Sequence, residues 1–214
     1  MPLFACDRDL VALEPGLPRR AVWLGQRLAS GTCSVAPRDG VEAAVLEASS
    51  ATLGFGEAGV DDGCVVTVAG RAVEVVRRLS GTELIVCAPR GAPADPPLPP
   101  EPIAEAPFEI PTWRPQIAIT ETQVLRMLGL DPADPDAADA VLEPWNLRPL
   151  VCYGALHLIH AELERTGAAE PGEAERYRRL WMHARATLTV ALDHDADGCA
   201  DTHRPLTITA FKRV

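Results

Sequence analysis

The chain has 214 residues, which is enough for one large domain or two small ones, each with a core of its own. Hydrophobic residues make up 47% of it, a fraction typical of globular proteins. The net charge of -10 and the pI of about 5.0 mean that the surface repels nucleic-acid phosphates and anionic lipid, which argues against sequence-reading nucleic-acid binding.

Neither a membrane span nor a signal peptide is expected. No apolar run reaches the roughly 18 residues that cross a bilayer, and the N-terminus lacks a basic-then-apolar layout. We therefore expect a soluble protein made in the cytosol. Six cysteines lie far apart without a Cys-x-x-Cys motif, which favours small buried hydrophobes over a zinc or redox site, although disulfides stay possible.

Residues 33–87 predict a compact β domain. Three β-branched runs are joined by tight turns, and two further segments can add strands, although Glu42–Ser50 can equally form a helical turn. Five strands would let the sheet curl into a small open barrel. The three runs are Val65–Val68, Ala72–Val76 and Leu84–Val86, and the further segments are Gly31–Val35 and Val41–Leu46.

Within this region, residues 54–59 match the dinucleotide-binding pattern G-x-G-x-x-G. The pattern should follow a strand and open a helix, whereas here it leads into Asp61-Asp62-Gly63 and a strand. Two adjacent carboxylates would also repel phosphate. The context favours a glycine-rich turn or mobile loop over a nucleotide site.

Nine prolines lie between Pro89 and Pro111. This density is incompatible with a helix or a central strand and favours an extended polyproline-II arm. Such an arm could reach a neighbouring subunit or act as a stiff spacer. The chain therefore divides into a β-rich domain at 1–88, a proline-rich arm at 89–111 and a helical domain at 112–214.

The last hundred residues predict helices. Thr120 and Gln123 have capping-box spacing, with Gly129 as the stop, and Asp136 can cap a short helix through Val141. A helix from Leu147 is apolar around much of its girth. A second, from Glu173, continues the apolar spacing to Leu192 and should pack on the first as a hairpin. A strand-like tail follows from Leu206.

The turn after the second helix resembles a calcium loop. Asp193, Asp195 and Asp197 occupy alternate positions before Gly198, and Asp201 has the ninth position. Arg204 stands where such loops carry a bidentate Glu, so calcium would bind weakly or need another ligand. The alternative is an Asp/Gly turn from helix to strand.

Other chemistry is weakly indicated. His157, His160 and Glu164 lie near one another on a helix, but the Glu-x-x-His spacing of di-iron bundles is absent. No nucleophile elbow, zinc-protease motif or phosphate-binding loop occurs, and no Cys-His pair is singled out. We expect no enzyme activity and no cofactor other than possible calcium.

The order of features resembles the neck, or head-to-tail connector, proteins of tailed bacteriophages. The likeness covers mainly residues 108–214, and the β-rich half is similar only in outline. It rests on the segments Thr112–Ile117, Leu128–Leu130 and Leu150–Ile159, the Arg-rich second helix, the Asp193–Asp201 turn and the terminal strand from Thr207 to Arg213. The proline arm and the extra β domain exceed a minimal adaptor, so a collar role further down the neck stays open.

The resemblance implies a virion structural protein made in the host cytoplasm. It would form a ring, usually of twelve copies, below the portal protein at the head–tail junction, and would contact other neck and tail proteins. An acidic lumen would touch passing DNA only non-specifically. The tail is a candidate strand for pairing with a partner, through Leu206, Ile208, Phe211, Lys212 and Arg213.

Overall fold

The computed structural model describes residues 4–20 and 26–206. The helices are α1 (Asp7–Leu13), α2 (Leu17–Arg20), α3 (Arg114–Leu128), α4 (Arg148–Arg165) and α5 (Glu173–Thr187), with a 3-10 turn at Pro144–Leu147. The strands are β1 (Arg27–Pro37), β2 (Ala44–Ala51), β3 (Val65–Val68), β4 (Arg71–Arg78), β5 (Glu83–Cys87), β6 (Ile103–Pro111), β7 (Thr189–Leu192) and β8 (Thr202–Pro205). Two compact units result: Cys6–Arg114, the barrel unit, and Pro115–Val214 with Met1–Ala5, the helical unit.

The barrel unit is built on a closed antiparallel barrel with the strand order β1–β2–β5–β4–β3–β6. Alternating apolar side chains such as Val66, Val73 and Leu84 fill its interior. Because β6 pairs with both β1 and β3, the sheet has no free edge. The predicted α+β class with a small β-barrel is confirmed, and the segment left open between strand and helical turn is strand β2.

The predicted arm over 89–111 is wrong in its second half, because residues 103–111 form β6. The two prolines inside this strand, Pro107 and Pro111, flank the residues Phe108 and Glu109 that pair with β3. Proline lacks only the backbone N–H donor. A strand that lies between two partner strands can therefore contain proline at positions outside the stretch that pairs with both of them. Residues 89–102 form a loop of the barrel unit, in which the Ala88 N–H donates to Leu98 O at 2.8 Å.

The glycine-rich segment 54–59 is a turn between β2 and β3. Its Phe55 is fully buried in the barrel core, where the ring lies edge-on to Phe108 with centroids 5.9 Å apart. Gly59 has a φ of +68°, a conformation that L side chains rarely adopt. The glycines therefore shape a turn that inserts an aromatic ring into the core.

The first part of the helical unit differs from the sequence prediction in the start of α3 and in one short helix. Helix α3 begins at Arg114, so Thr120 lies inside it and donates its hydroxyl to Gln116 O at 3.0 Å, without capping the helix. Gly129, with φ +74°, ends α3 as predicted. The short helix expected after Asp136 is absent; residues there form turns, and Val141 bridges to Leu192 of β7.

Helices α4 and α5 pack on each other, but α5 ends earlier than predicted. Residues 189–192 follow the helical spacing yet form β7, because the β-branched Thr189 and Val190 pair with β8. The Asp-rich turn therefore joins two antiparallel strands of a hairpin. The predicted terminal strand from Leu206 onward lies, apart from Leu206 itself, outside the described residues.

Candidate functional site

The loop of the β7–β8 hairpin brings three of the predicted metal ligands together. One carboxylate oxygen from each of Asp193, Asp195 and Asp197 lies within 4.8 Å of the others. Asp201 is not part of this group; its carboxylate accepts the His194 N–H at 2.6 Å. The twelfth loop position, Arg204, supplies no carboxylate and its guanidinium lies against Gly129.

Backbone hydrogen bonds already occupy the Asp193 carboxylate. It accepts the N–H groups of Gly198 at 2.8 Å and Asp197 at 3.3 Å. Burial disfavours the charged form, but these bonds outweigh it and hold the pKa of Asp193 below its usual value. Asp197 likewise accepts the Cys199 N–H at 2.7 Å. The carboxylates thus stabilise the hairpin turn themselves.

The predicted partner-binding residues have different positions. Leu206 is buried in the helical unit, its N–H donates to Leu188 O at 3.2 Å and its carbonyl accepts from Arg185 Nε at 3.0 Å. Its side chain therefore anchors the hairpin and is not available to a partner. The other four, Ile208, Phe211, Lys212 and Arg213, lie outside the described residues.

The histidines and the glutamate of α4 tie this helix to α5. His157 Nδ1 lies 3.0 Å from Ala174 O, and the His160 ring stacks on Tyr177 with centroids 5.1 Å apart. Glu164 accepts the N–H groups of Gly172 at 3.0 Å and Ala174 at 2.8 Å, and so caps the start of α5. These side chains pack the hairpin of helices and do not converge on a common point.

A buried ionic network in the barrel unit is absent from the sequence prediction. Glu74 on β4 is fully buried and accepts from Arg8 Nη1 at 3.1 Å and Arg90 Nη2 at 2.6 Å. Arg8 also pairs with Asp9 at 3.0 Å. Glu74 is 66 residues from Arg8 and 16 from Arg90, so local sequence patterns do not predict these ion pairs. The one signal in the sequence is a lone Glu among the valines of a predicted strand.

Next to this network is an open cleft of about 520 Å³. Three arginines, Arg19, Arg71 and Arg90, contribute to its walls. All three have partners: Arg19 donates to Gly70 O, Arg71 pairs with Glu101 and Arg90 with Glu74. Two of the three guanidinium groups are therefore paired with carboxylates, whereas Arg19 is held by a neutral carbonyl oxygen.

The cysteines are thiols in the described structure, and four of them, Cys33, Cys64, Cys87 and Cys152, are buried as predicted. Burial raises the pKa of the Cys33, Cys64 and Cys87 thiols to about 11, which disfavours the reactive thiolate.

No family model, curated protein or solved structure matches this chain significantly. Among the described residues, no helix has both the length and the apolar character that crossing a bilayer requires.

Proposed function

We propose that the chain is a virion structural protein of a tailed bacteriophage, a head-to-tail connector or neck component that forms a ring below the portal and surrounds the DNA channel. In this proposal the barrel unit, the 89–102 loop and the helical unit with its C-terminal tail act as docking modules.

One observation supports this function most directly, the exposed hairpin strand β8. All four of its residues are exposed, and within the described residues its only strand partner is β7. An unpaired strand edge is a template for adding a strand from another chain. Because β8 leads into the segment with Ile208, Phe211, Lys212 and Arg213, the hairpin and this segment would form a continuous docking element.

The charge of the chain is compatible with DNA passage. A net charge of -10 disfavours sticking of the DNA phosphates to a channel wall, so that contact with DNA stays non-specific.

The test is assembly of the full chain. Mass photometry should detect ring oligomers, and co-expression with the portal protein encoded nearest to this gene should give a complex. A chain that stays monomeric at high concentration and does not associate with portal would rule the proposal out.

The alternative function is a calcium-dependent binding module, favoured by the convergence of Asp193, Asp195 and Asp197. Calorimetry with millimolar calcium should then give heat that Asp195→Ala abolishes and that Asp139→Ala, which alters an exposed carboxylate outside the loop, retains. Absence of heat with the unaltered chain would exclude the module.

A further inference from the structure

The outward side of α5 carries charged and apolar side chains together. Ala174 and Tyr177 are the buried positions of this helix, whereas Arg178, Arg179 and Met182 lie on its exposed side, with Met182 one turn after the two arginines. The Arg179 side chain is 73% exposed and Met182 is 44% exposed. Both arginines share one carboxylate, Glu175, so this surface, the α5 face, keeps a net positive charge.

A surface of opposite charge follows α3 in the same unit. Residues 131–143, the acidic segment, contain five carboxylates and no Lys or Arg, and all five side chains are exposed. They form no ion pair with any residue that the structure describes. Directly after them Trp145 is 58% exposed. The five are Asp131, Asp134, Asp136, Asp139 and Glu143.

We propose that the α5 face is an assembly surface whose occupant is the acidic segment of a second copy of this chain. The charges are complementary, and each surface has an apolar anchor, Met182 on one and Trp145 on the other. A thioether and an indole pack favourably, and an arginine over an indole adds a cation–π contact. Tryptophan, methionine and arginine are enriched in protein–protein interfaces.

The contact is head-to-tail, because the two surfaces differ. Each copy offers one of each, so successive copies build a ring if the rotation closes. The inference rests on the proposed function and specifies which surfaces join neighbouring copies.

Charge reversal of the full-length chain tests the contact. One variant carries Arg178→Glu with Arg179→Glu, and a second carries Asp136→Arg with Asp139→Arg. Arg165→Glu on α4 is the matched control, because Arg165, like Arg178, is exposed and pairs with a Glu three residues earlier. Circular dichroism and thermal melting establish that each variant is folded.

Mass photometry in 50 mM and 500 mM NaCl should give three results. Each double variant should need at least ten times more protein for half-assembly, the control should behave like the unaltered chain, and high salt should weaken assembly. A loss of assembly in the Arg165→Glu control as large as in the double variants would contradict the contact, because any charge reversal on the helical unit would then have the same effect.

Failure of this inference can be told apart from failure of the proposed function. If the unaltered chain forms rings and both double variants form them equally well, the proposed function is supported and the proposed contact at the α5 face is disproved. If the unaltered chain is monomeric under all conditions and does not bind portal, both are overturned.

Discussion

Asp7, at the start of α1, is held in surroundings that oppose its charge. The side chain is buried and accepts the Trp113 N–H at 2.8 Å. Burial raises the pKa of Asp7 from 3.8 to about 6, although the Trp113 and Thr112 hydrogen bonds and Arg114 partly offset this. The folded state therefore binds a proton in a pH range where the unfolded chain has released it.

The sign of this linkage gives a first prediction. The stabilisation by protonated Asp7 is fully present below pH 4 and is lost as the pH rises through 6, a change of about 3 kcal/mol. Asp7→Asn keeps an oxygen acceptor for Trp113 without the charge. Denaturant unfolding should therefore find the variant more stable at pH 7, by up to about 3 kcal/mol, and nearly equal to the unaltered protein at pH 4.

The exposed Asp39 of the barrel unit provides the control for this measurement. Asp39→Asn removes a carboxylate at the surface and should shift stability within about 0.5 kcal/mol at either pH. If Asp7→Asn lowers stability at pH 7, the carboxylate has a favourable charged partner there and the reasoning fails.

Glu74 gives a second prediction. It pairs with both Arg8 and Arg90 without solvent exposure, so Glu74→Ala leaves Arg90 without its carboxylate and Arg8 with Asp9 as its remaining ionic partner. We expect unfolding free energy to fall by about 3–5 kcal/mol. Glu101→Ala, which removes one half of an exposed pair with Arg71, should cost less than about 1 kcal/mol. Equal losses for both variants would show that burial of the network contributes nothing.

At the scale of elements, three helices meet at Gly154 of α4. A Cβ there would lie 2.4 Å from Thr120 Cγ2 on α3 and 3.2 Å from Trp181 Cδ1 on α5. Glycine is therefore required by close packing inside a helix whose propensity would favour alanine. The apolar periodicity of the sequence predicts α4. Gly154 marks the position at which α3 and α5 pack closely against this helix.

The third prediction concerns this close approach. Gly154→Ala should lower the unfolding free energy by about 1–3 kcal/mol through overpacking. Thr120→Ser removes Cγ2 and keeps the hydroxyl that bonds to Gln116, so the double variant should recover part of the loss in a double-mutant cycle. Gly81→Ala, where nothing lies within 4 Å, is the control. Strict additivity of Gly154→Ala and Thr120→Ser would disprove the steric contact.

For the whole molecule, the fourth prediction concerns the independence of the barrel unit. Residues 6–114 include all six strands of the closed barrel and a buried core, so this fragment should fold alone, with a β-type circular dichroism spectrum and a cooperative melt. A fragment of residues 6–102 lacks β6 and leaves β1 and β3 with open edges. It should be unfolded or aggregated. A stable 6–102 fragment would contradict the requirement for β6 in closing the barrel.

Local patterns in the sequence determined much of this protein. Runs of β-branched residues between tight turns identified β3, β4 and β5, apolar spacing identified α4 and most of α5, and Gly129 marked the end of α3. These features depend on neighbours within a few residues, so their physical cause is readable in the chain. The three aspartates of the turn were found in the same way.

Only the tertiary structure decided the rest. Residues 103–111 became a strand because β1 and β3 offered partners on both sides, and residues 189–192 left the helical pattern because β8 paired with them. Glu74 acquired its role from Arg8, 66 residues away. Strand pairing and the burial of charge are set by groups distant in sequence, and such partners outweigh the weak local preference of a short segment.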